Sequence, residues 1–419
     1  MNRIHAFAVL LLVTLFLIPD TGEAIPAFAK KYGFNCNMCH TAFAKLNDFG
    51  QRYRDSGYQL PGQEGGEKTI FDTAPPIAIR ATTGLSVYDG PGGTTAGFNL
   101  FGFDLLASGV LHKNISFLLI YTPRVDEPTA EYGGAVNGDQ PSQSGGLESV
   151  NLVFSNIIQD ALNVRVGKFE PAYHAFSSKR KYQVFTPYEI YSFTTPINGY
   201  NFDDNQIGIE ATGHFRCGFK YGVGVLNGTG PHPDNNQNKD VYGNLSYTIG
   251  RGDGQSAGQR IGLFGYYGWQ PMKITGLPLS PTGETAGTDN AAFSRMGFDA
   301  SLNWKTLNLQ GLYMLGSDDQ KLNPLQSGKS YDYSGGLLQL DWATMANNRL
   351  VTSLLYNWVT PPDYDPEQKV AAYSLLLRYY LGDWSAVNVA LHLEFQHRQS
   401  GDVDKVKENL GALMLDFAF

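Results

Sequence analysis

Cysteine is nearly absent from this chain: three among 419 residues. That excludes a scaffold built on disulfides. Charge is also scarce, at 17 % of residues, and the net charge of −8 leaves no basic face for nucleic acid. After residue 24 no apolar run approaches the roughly 20 residues that a membrane-crossing helix needs. What is plentiful is glycine, tyrosine and phenylalanine, at 48, 24 and 25 copies. Aromatic and glycine-rich text with little charge and no long apolar run suits β-sheet.

The chain opens Met1-Asn2-Arg3, followed by an apolar run from Ala6 to Ile18. Gly22 and Ala24 put small residues at the −3 and −1 positions of a cleavage site. Residues 1–24 are therefore expected to be a secretory signal peptide, too short to span a membrane.

Two of the three cysteines stand in one pentapeptide, Cys36-Asn37-Met38-Cys39-His40. A C-x-x-C-H run is the attachment pattern of a c-type haem. Two thiols at this spacing can add to the two vinyl groups of one porphyrin, and the adjoining histidine then lies beneath the iron as axial ligand. A disulfide, a dithiol redox pair or half of a zinc site are the competing readings. Zinc wants a second ligand pair, and Cys217 stands alone; a dithiol motif wants a βαβ context, which does not follow.

Residues 25–75 form the first unit. Phe43, Leu46, Phe49 and Tyr53 recur at helical spacing, predicting a helix from His40 to Tyr53 whose apolar face covers the haem. Gly57, Pro61, Gly62, Gly65 and Gly66 then predict a linker.

From residue 76 to 419 the period changes to two. The run Val387-Asn388-Val389-Ala390-Leu391-His392-Leu393-Glu394-Phe395 is the plainest instance, with one apolar and one polar face. Sixteen such segments are predicted: 76–88, 96–111, 114–124, 147–158, 161–169, 205–213, 217–226, 238–249, 258–269, 293–304, 307–316, 332–343, 349–359, 369–381, 385–398 and 406–419. Their connections alternate, long then short, as in outer-membrane barrels. The last segment places apolar residues at 413, 415 and 417 and reaches an aromatic at Phe419, which resembles the C-terminal signal of such barrels. The expected fold is mainly β: a 16-stranded antiparallel transmembrane β-barrel in the bacterial outer membrane, preceded by a small α-helical c-type haem domain. The third long connection, 170–204, either folds into the lumen, as third external loops of general porins do, or lies on the surface.

The stretch Ala24-Ile25-Pro26-Ala27-Phe28-Ala29-Lys30-Lys31-Tyr32-Gly33, then Cys36 to His40, Leu46-Asn47-Asp48-Phe49-Gly50 and Gly57-Tyr58, resembles the fused monohaem cytochrome–porins of bacterial outer membranes. Their best known members are the outer-membrane iron oxidases of iron-oxidising bacteria. The resemblance carries over to Cys36, Cys39 and His40; over the barrel only the architecture is similar. It implies one covalent haem c near or inside the pore, electrons crossing the membrane, periplasmic c-type cytochromes as partners, and extracellular iron or another redox donor or acceptor. The direction of flow stays open.

The first unit offers no second axial ligand, because Met38 lies between the attaching cysteines. His174, on the third long connection, is the favoured candidate. His392 is expected to point inward, His112 and His214 to lie beside short turns, Met314 to face the lumen, Met296 the lipid, and His232 an external loop. A six-coordinate haem is expected. Asp234, Asp318, Asp319, Asp363 and Asp365 are expected to be external loop acids able to attract a cation. Two functions follow: an electron conduit with the haem plugging the barrel, and a solute porin with a haem-bearing plug or sensor, in which Lys179, Arg180 and Lys181 form an anion constriction. A peroxidase-like enzyme ranks behind both, since no distal His/Arg pair is recognisable.

Overall fold

The computed structural model describes residues 32, 34, 38–42, 45–60, 65–72, 77–122, 146–249, 258–272, 289–345, 348–381 and 388–418. The expected signal peptide lies outside these residues, as does Cys36.

Sixteen antiparallel strands close into a barrel. They are β3 (Ile77–Gly90), β4 (Gly93–His112), β5 (Ile115–Thr122), β6 (Gly146–Phe154), β8 (Asn163–Phe169), β9 (Gln206–His214), β10 (Phe219–Leu226) and β11 (Asp240–Ile249), then β12 (Gln259–Met272), β13 (Asp289–Trp304), β14 (Leu307–Asp318), β15 (Tyr331–Thr344), β16 (Leu350–Thr360), β17 (Val370–Tyr380), β18 (Asn388–Ser400) and β19 (Val406–Ala418). The last strand pairs with the first, Leu413 opposite Leu85, so no edge is left open. Full closure is the arrangement that leaves no strand-edge N–H or C=O unpaired in lipid.

Side-chain alternation decides which face is which. On β18, Leu393 and Phe395 are 48 % and 47 % exposed on the outer surface, while His392 and Glu394 between them are fully buried inside. Phe298, Leu302, Trp304, Leu338 and Trp342 continue the outward apolar band. An apolar exterior around a polar interior is the pattern of a membrane-spanning barrel.

The expected strand 147–158 divides. β6 stops at Phe154, β7 (Ile157–Asp160) forms a separate exposed lip, and β8 starts at Asn163. Asn156 and Gln159, at φ of 56° and 49°, turn the chain out of the sheet at that point.

The first unit is less helical than its periodicity predicts. His40–Ala42 (β1) and Lys45–Leu46 (β2) pair as a short antiparallel ribbon, and the helix, α1, runs only from Asp48 to Asp55. Asn47 sets this start: its side chain accepts a hydrogen bond from the Gly50 N–H at 2.9 Å, an N-cap that positions 40–46 cannot join. Gly57 ends the helix at φ 69°, its N–H donating to the Arg54 carbonyl. A Cβ there would meet Ser116 Oγ at 2.2 Å, so this expected linker glycine is wedged against the barrel wall.

The connection 170–204 fills the lumen. Tyr173, Tyr188, Tyr191 and Ile190 are fully buried and pack with wall residues such as Tyr266, Phe293, Met314 and Leu337, while Phe185 packs with Phe101, Ala412 and Met414; the connection carries one short helix, α2 (Glu189–Ser192).

Candidate functional site

The second half of the C-x-x-C-H run is clamped by the cap of α1. The Asn47 N–H donates to the Cys39 carbonyl and the Asn47 side-chain amide to the Met38 carbonyl, both at 2.9 Å. Gly50 lies directly on the Cys39 backbone: a Cβ would come within 2.2 Å of its carbonyl oxygen. Burial pushes the Cys39 thiol up to about 11. His40 opens β1, opposite Leu46. Met38 is exposed.

This unit is moored across the short-turn end of the barrel. Lys45 Nζ donates to Asp341 Oδ2 at 2.5 Å and Asn308 Oδ1 at 2.6 Å. Asn348 donates to the Thr41 carbonyl at 3.2 Å. Asp55, buried on α1, takes Lys220 at 2.7 Å, His214 at 2.9 Å and its neighbour Arg54 at 2.9 Å. Burial alone would raise the Asp55 carboxyl, but Lys220, Arg54 and His214 hold it well below the usual carboxylate range. Arg54 also reaches Glu170, the first residue of the lumen loop, at 3.7 Å.

Between this unit, the loop and the wall of β9 to β16 lies a vestibule of about 360 Å³, with Thr41 among the residues that line it. Leu46, Phe176 and Phe219 give it apolar surface; Lys45, Arg54, Arg180, Lys220, Arg260 and Lys305 give it positive charge.

Beyond the vestibule the loop is fastened to the wall. Glu394 accepts from the Val184 N–H at 2.8 Å, the Thr186 N–H at 3.0 Å and the Thr186 hydroxyl at 2.6 Å. Asp318 accepts from Thr195 at 2.6 Å and Asn198 at 3.1 Å while pairing with Arg295 at 2.6 Å. Tyr188 donates to Gln339, and Arg398 pairs with Glu189 at 3.1 Å. Rings continue outward from here. Tyr173, Tyr266, Tyr200 and Phe293 follow one another at centroid distances of 5.5, 4.6 and 4.7 Å. Arg295 bridges Phe293 to Tyr333, and Tyr331 then reaches Tyr364 on the long connection after β16.

His174 lies at the inner end of this series, lining the vestibule. Its Nε2 donates to the Phe202 carbonyl at 2.6 Å and its ring meets Tyr173 edge-on at 4.6 Å. That bond fixes the tautomer and leaves the lone pair on Nδ1, which stands 3.9 Å from Glu170. His214 also lines the vestibule, bonded to Asp55. His392 points inward with both ring nitrogens engaged, by Glu394 at 2.9 Å and Arg378 at 3.4 Å. Met314 is buried in the lumen core and Met296 is 52 % exposed on the outer surface. His112 ends β4 beside a short turn, and His232 lies between β10 and β11.

One expectation about charge is corrected. Asp318 is not an external acid: it ends β14 with its side chain buried in the lumen, because the inward face of the strand continues through it. Of the cations Lys179, Arg180 and Lys181, Arg180 lines the vestibule. Arg180 pairs with Glu170, and Lys181 is buried over the Tyr188 ring, because the loop that bears them packs across the pore. Of the other loop acids, Asp234 pairs with Lys239, Asp319 caps a turn, and Asp365 accepts from Tyr331 at 2.7 Å. Among the described residues no group of three His, Cys, Asp or Glu side chains is placed to hold a metal ion. Arg54, Asp55, Glu170 and Arg260 were not singled out by sequence. Single charges without spacing carry no signal until the barrel closes around them.

No family model matches the chain, and no curated protein matches its sequence. Solved structures do match. The anion-selective porin from Comamonas acidovorans is 14 % identical with a TM-score of 0.55, over 82 % of this chain and 100 % of that one. Pseudomonas putida OprB is 14 % identical with a TM-score of 0.53, over 84 % and 95 %. OmpT of Vibrio cholerae is 10 % identical with a TM-score of 0.53, over 83 % and 100 %. The fold is that of an outer-membrane porin. At these identities the likeness is one of fold alone.

Proposed function

We propose that the protein passes electrons across the outer membrane through one haem c attached at Cys36 and Cys39, with His40 as an axial ligand. The observation that carries this reading is the lumen. Lys45, on the segment between His40 and α1, is bonded to the wall at the short-turn end, and loop 170–204 is bonded across the rest. Such a barrel suits electrons better than solutes. Its chain of rings from His174 to the external Tyr364 keeps the path between the two ends densely packed.

The residues fit the group. Asn47 and Gly50 fix the backbone of Met38 and Cys39, and the adjoining vestibule joins apolar surface to positive charge. Bound haem supplies a one-electron iron couple. The protein's part is to hold His40, limit water and keep the site close to the ring series. His174 would be the second side chain to hold the iron, since the Phe202 carbonyl fixes its Nε2 and leaves Nδ1 available to bind. Periplasmic c-type cytochromes are the proposed partners on the short-turn side, and Fe(II) or another external couple on the long-loop side.

A second reading, a solute porin with a haem-bearing plug, is favoured by the cations of the vestibule, which suit an anion entering from the periplasm. Planar-bilayer recording separates the two. The conduit predicts that purified, haem-loaded protein leaves the bilayer electrically silent. Steady open-channel current with anion selectivity supports the porin instead.

A further inference from the structure

On the outer wall near the short turns, two indoles frame an apolar furrow. Trp304, Leu307 and Trp342 stand opposite one another on β13, β14 and β15 and share one outward row. Trp304 is 66 % and Trp342 51 % exposed. Two strand spacings separate these indoles, about 10 Å at the backbone, and the smaller Leu307 lies between them. Leu302, Leu309 and Leu340 form the next row into the membrane, all of them exposed. The furrow ends where Leu338 leans over Gly311, whose missing Cβ would stand 3.1 Å from Leu338 Cδ2. Phe298 and Tyr313 pair just beyond, with ring centroids 5.7 Å apart. From Leu307 to Gly311 the strip runs about 14 Å along the strand, within the depth of one leaflet, roughly 15 Å.

Its mouth is charged. Lys305, in the turn between β13 and β14, is exposed, and its ammonium stands over the outward Trp304 ring at 5.3 Å. Arg349 repeats the arrangement at the next short turn, over the Tyr379 ring at 5.5 Å. Tryptophan belongs at the membrane–water interface, which sets Lys305 at headgroup depth. A cation at that depth, above a leucine strip framed by indoles, suits an amphiphile with an anionic head and an acyl chain. Short turns of such barrels face the periplasm, so this lipid belongs to the inner leaflet. We infer that β13 to β15 hold one anionic phospholipid, its phosphate at Lys305 and one acyl chain between Trp304 and Trp342 along Leu307 and Leu309. The site needs no haem. A second copy of this chain packed on the same wall is the other occupant that the test separates.

Full-length protein in detergent is prepared as wild type, Lys305→Gln, Lys305→Arg, Trp342→Ala and, at another short turn, Lys113→Gln. Heat-modifiable gel mobility confirms a folded barrel in each. Native mass spectrometry then counts bound lipid as phosphatidylglycerol, or phosphatidylethanolamine with the same acyl chains, is titrated in. Wild type is expected to take one phosphatidylglycerol per chain, with about a fivefold preference over phosphatidylethanolamine, the worth of one cation at a lipid surface. Lys305→Gln is expected to lose that preference, while Lys305→Arg and Lys113→Gln keep it. Trp342→Ala is expected to bind both lipids more weakly with the preference intact. Equal binding of the two lipids by the folded wild type overturns the site, as does a preference that Lys305→Gln keeps or that Lys113→Gln loses equally. Lipid-free particles of two or more chains, returned to single chains by Trp342→Ala, assign the wall to a second copy and also overturn it.

Discussion

Arg54 on α1 lies 3.7 Å from Glu170, the first residue of the loop that fills the lumen. This contact joins the two bodies that close the barrel, one from each end. Glu170 also takes Arg180 and accepts from Ser177 at 2.6 Å. Glu170→Gln leaves two guanidinium groups without their shared anion. Breaking one partner of a largely buried ion pair costs about 3 kcal/mol. Hydrogen exchange over residues 45–60 in detergent-solubilised protein is expected to accelerate by about a hundredfold, on the scale where 1.4 kcal/mol is tenfold. Exchange at the wild-type rate would show that the two bodies are held independently.

Gly50→Ala tests the clamp on the C-x-x-C-H segment. The added methyl meets the Cys39 carbonyl at 2.2 Å, a backbone atom that cannot swing aside. Alanine is otherwise the better helix former, so an exposed site would gain stability. The expected outcome is at least a threefold loss of haem per chain, measured by the absorbance of the reduced pyridine complex against protein mass.

Asp55 gives the docked unit a pH limit. Its folded-state carboxyl is held well below the ordinary value of 3.8. A depressed carboxyl contributes stability above its unfolded value and loses it as pH falls through the folded one. Protease cleavage after Arg52 or Arg54 is therefore expected to stay slow from neutral pH to about 4 and to rise below it. Asp55→Asn removes that acid dependence and leaves cleavage elevated at neutral pH.

His174→Ala probes the proposed axial position. The wild-type haem is expected to show a six-coordinate, low-spin optical spectrum, and the variant a five-coordinate, high-spin one. A low-spin variant moves the ligand elsewhere, with His214 as the next side chain on the vestibule. A high-spin wild type shows that no second strong ligand is bound.

Glu394→Ala loosens the plug without touching the haem unit. It removes three hydrogen bonds to Val184 and Thr186 and one of the two partners of His392. Transient conductance steps in planar bilayers are expected where the wild type is silent, with haem content unchanged.

The barrel was legible because its physics is local. Alternation with period two places Leu393 and Phe395 outward and His392 and Glu394 inward from the order of residues alone. Loop sorting likewise marked 170–204 as a candidate for the lumen. The N-terminal ribbon was not legible, since Leu46, Phe49 and Tyr53 keep helical spacing while Asn47 ends the extended segment and starts the helix at Asp48. Asp318 was misread as external because a strand end and a loop start look alike in a sequence. The pairs Arg54–Glu170 and Lys45–Asp341 join residues far apart in the chain, and only closure of the barrel brings them together.

The most direct test of the electron-conduit reading uses the full chain with its haem, oriented in sealed liposomes. A membrane-impermeant Fe(II) or Fe(III) complex is added on the long-loop side only, and the haem spectrum is followed. The account predicts a change of haem oxidation state while the liposomes stay tight to ions. A haem that responds only to reagents on the short-turn side, in liposomes that leak anions, would contradict it.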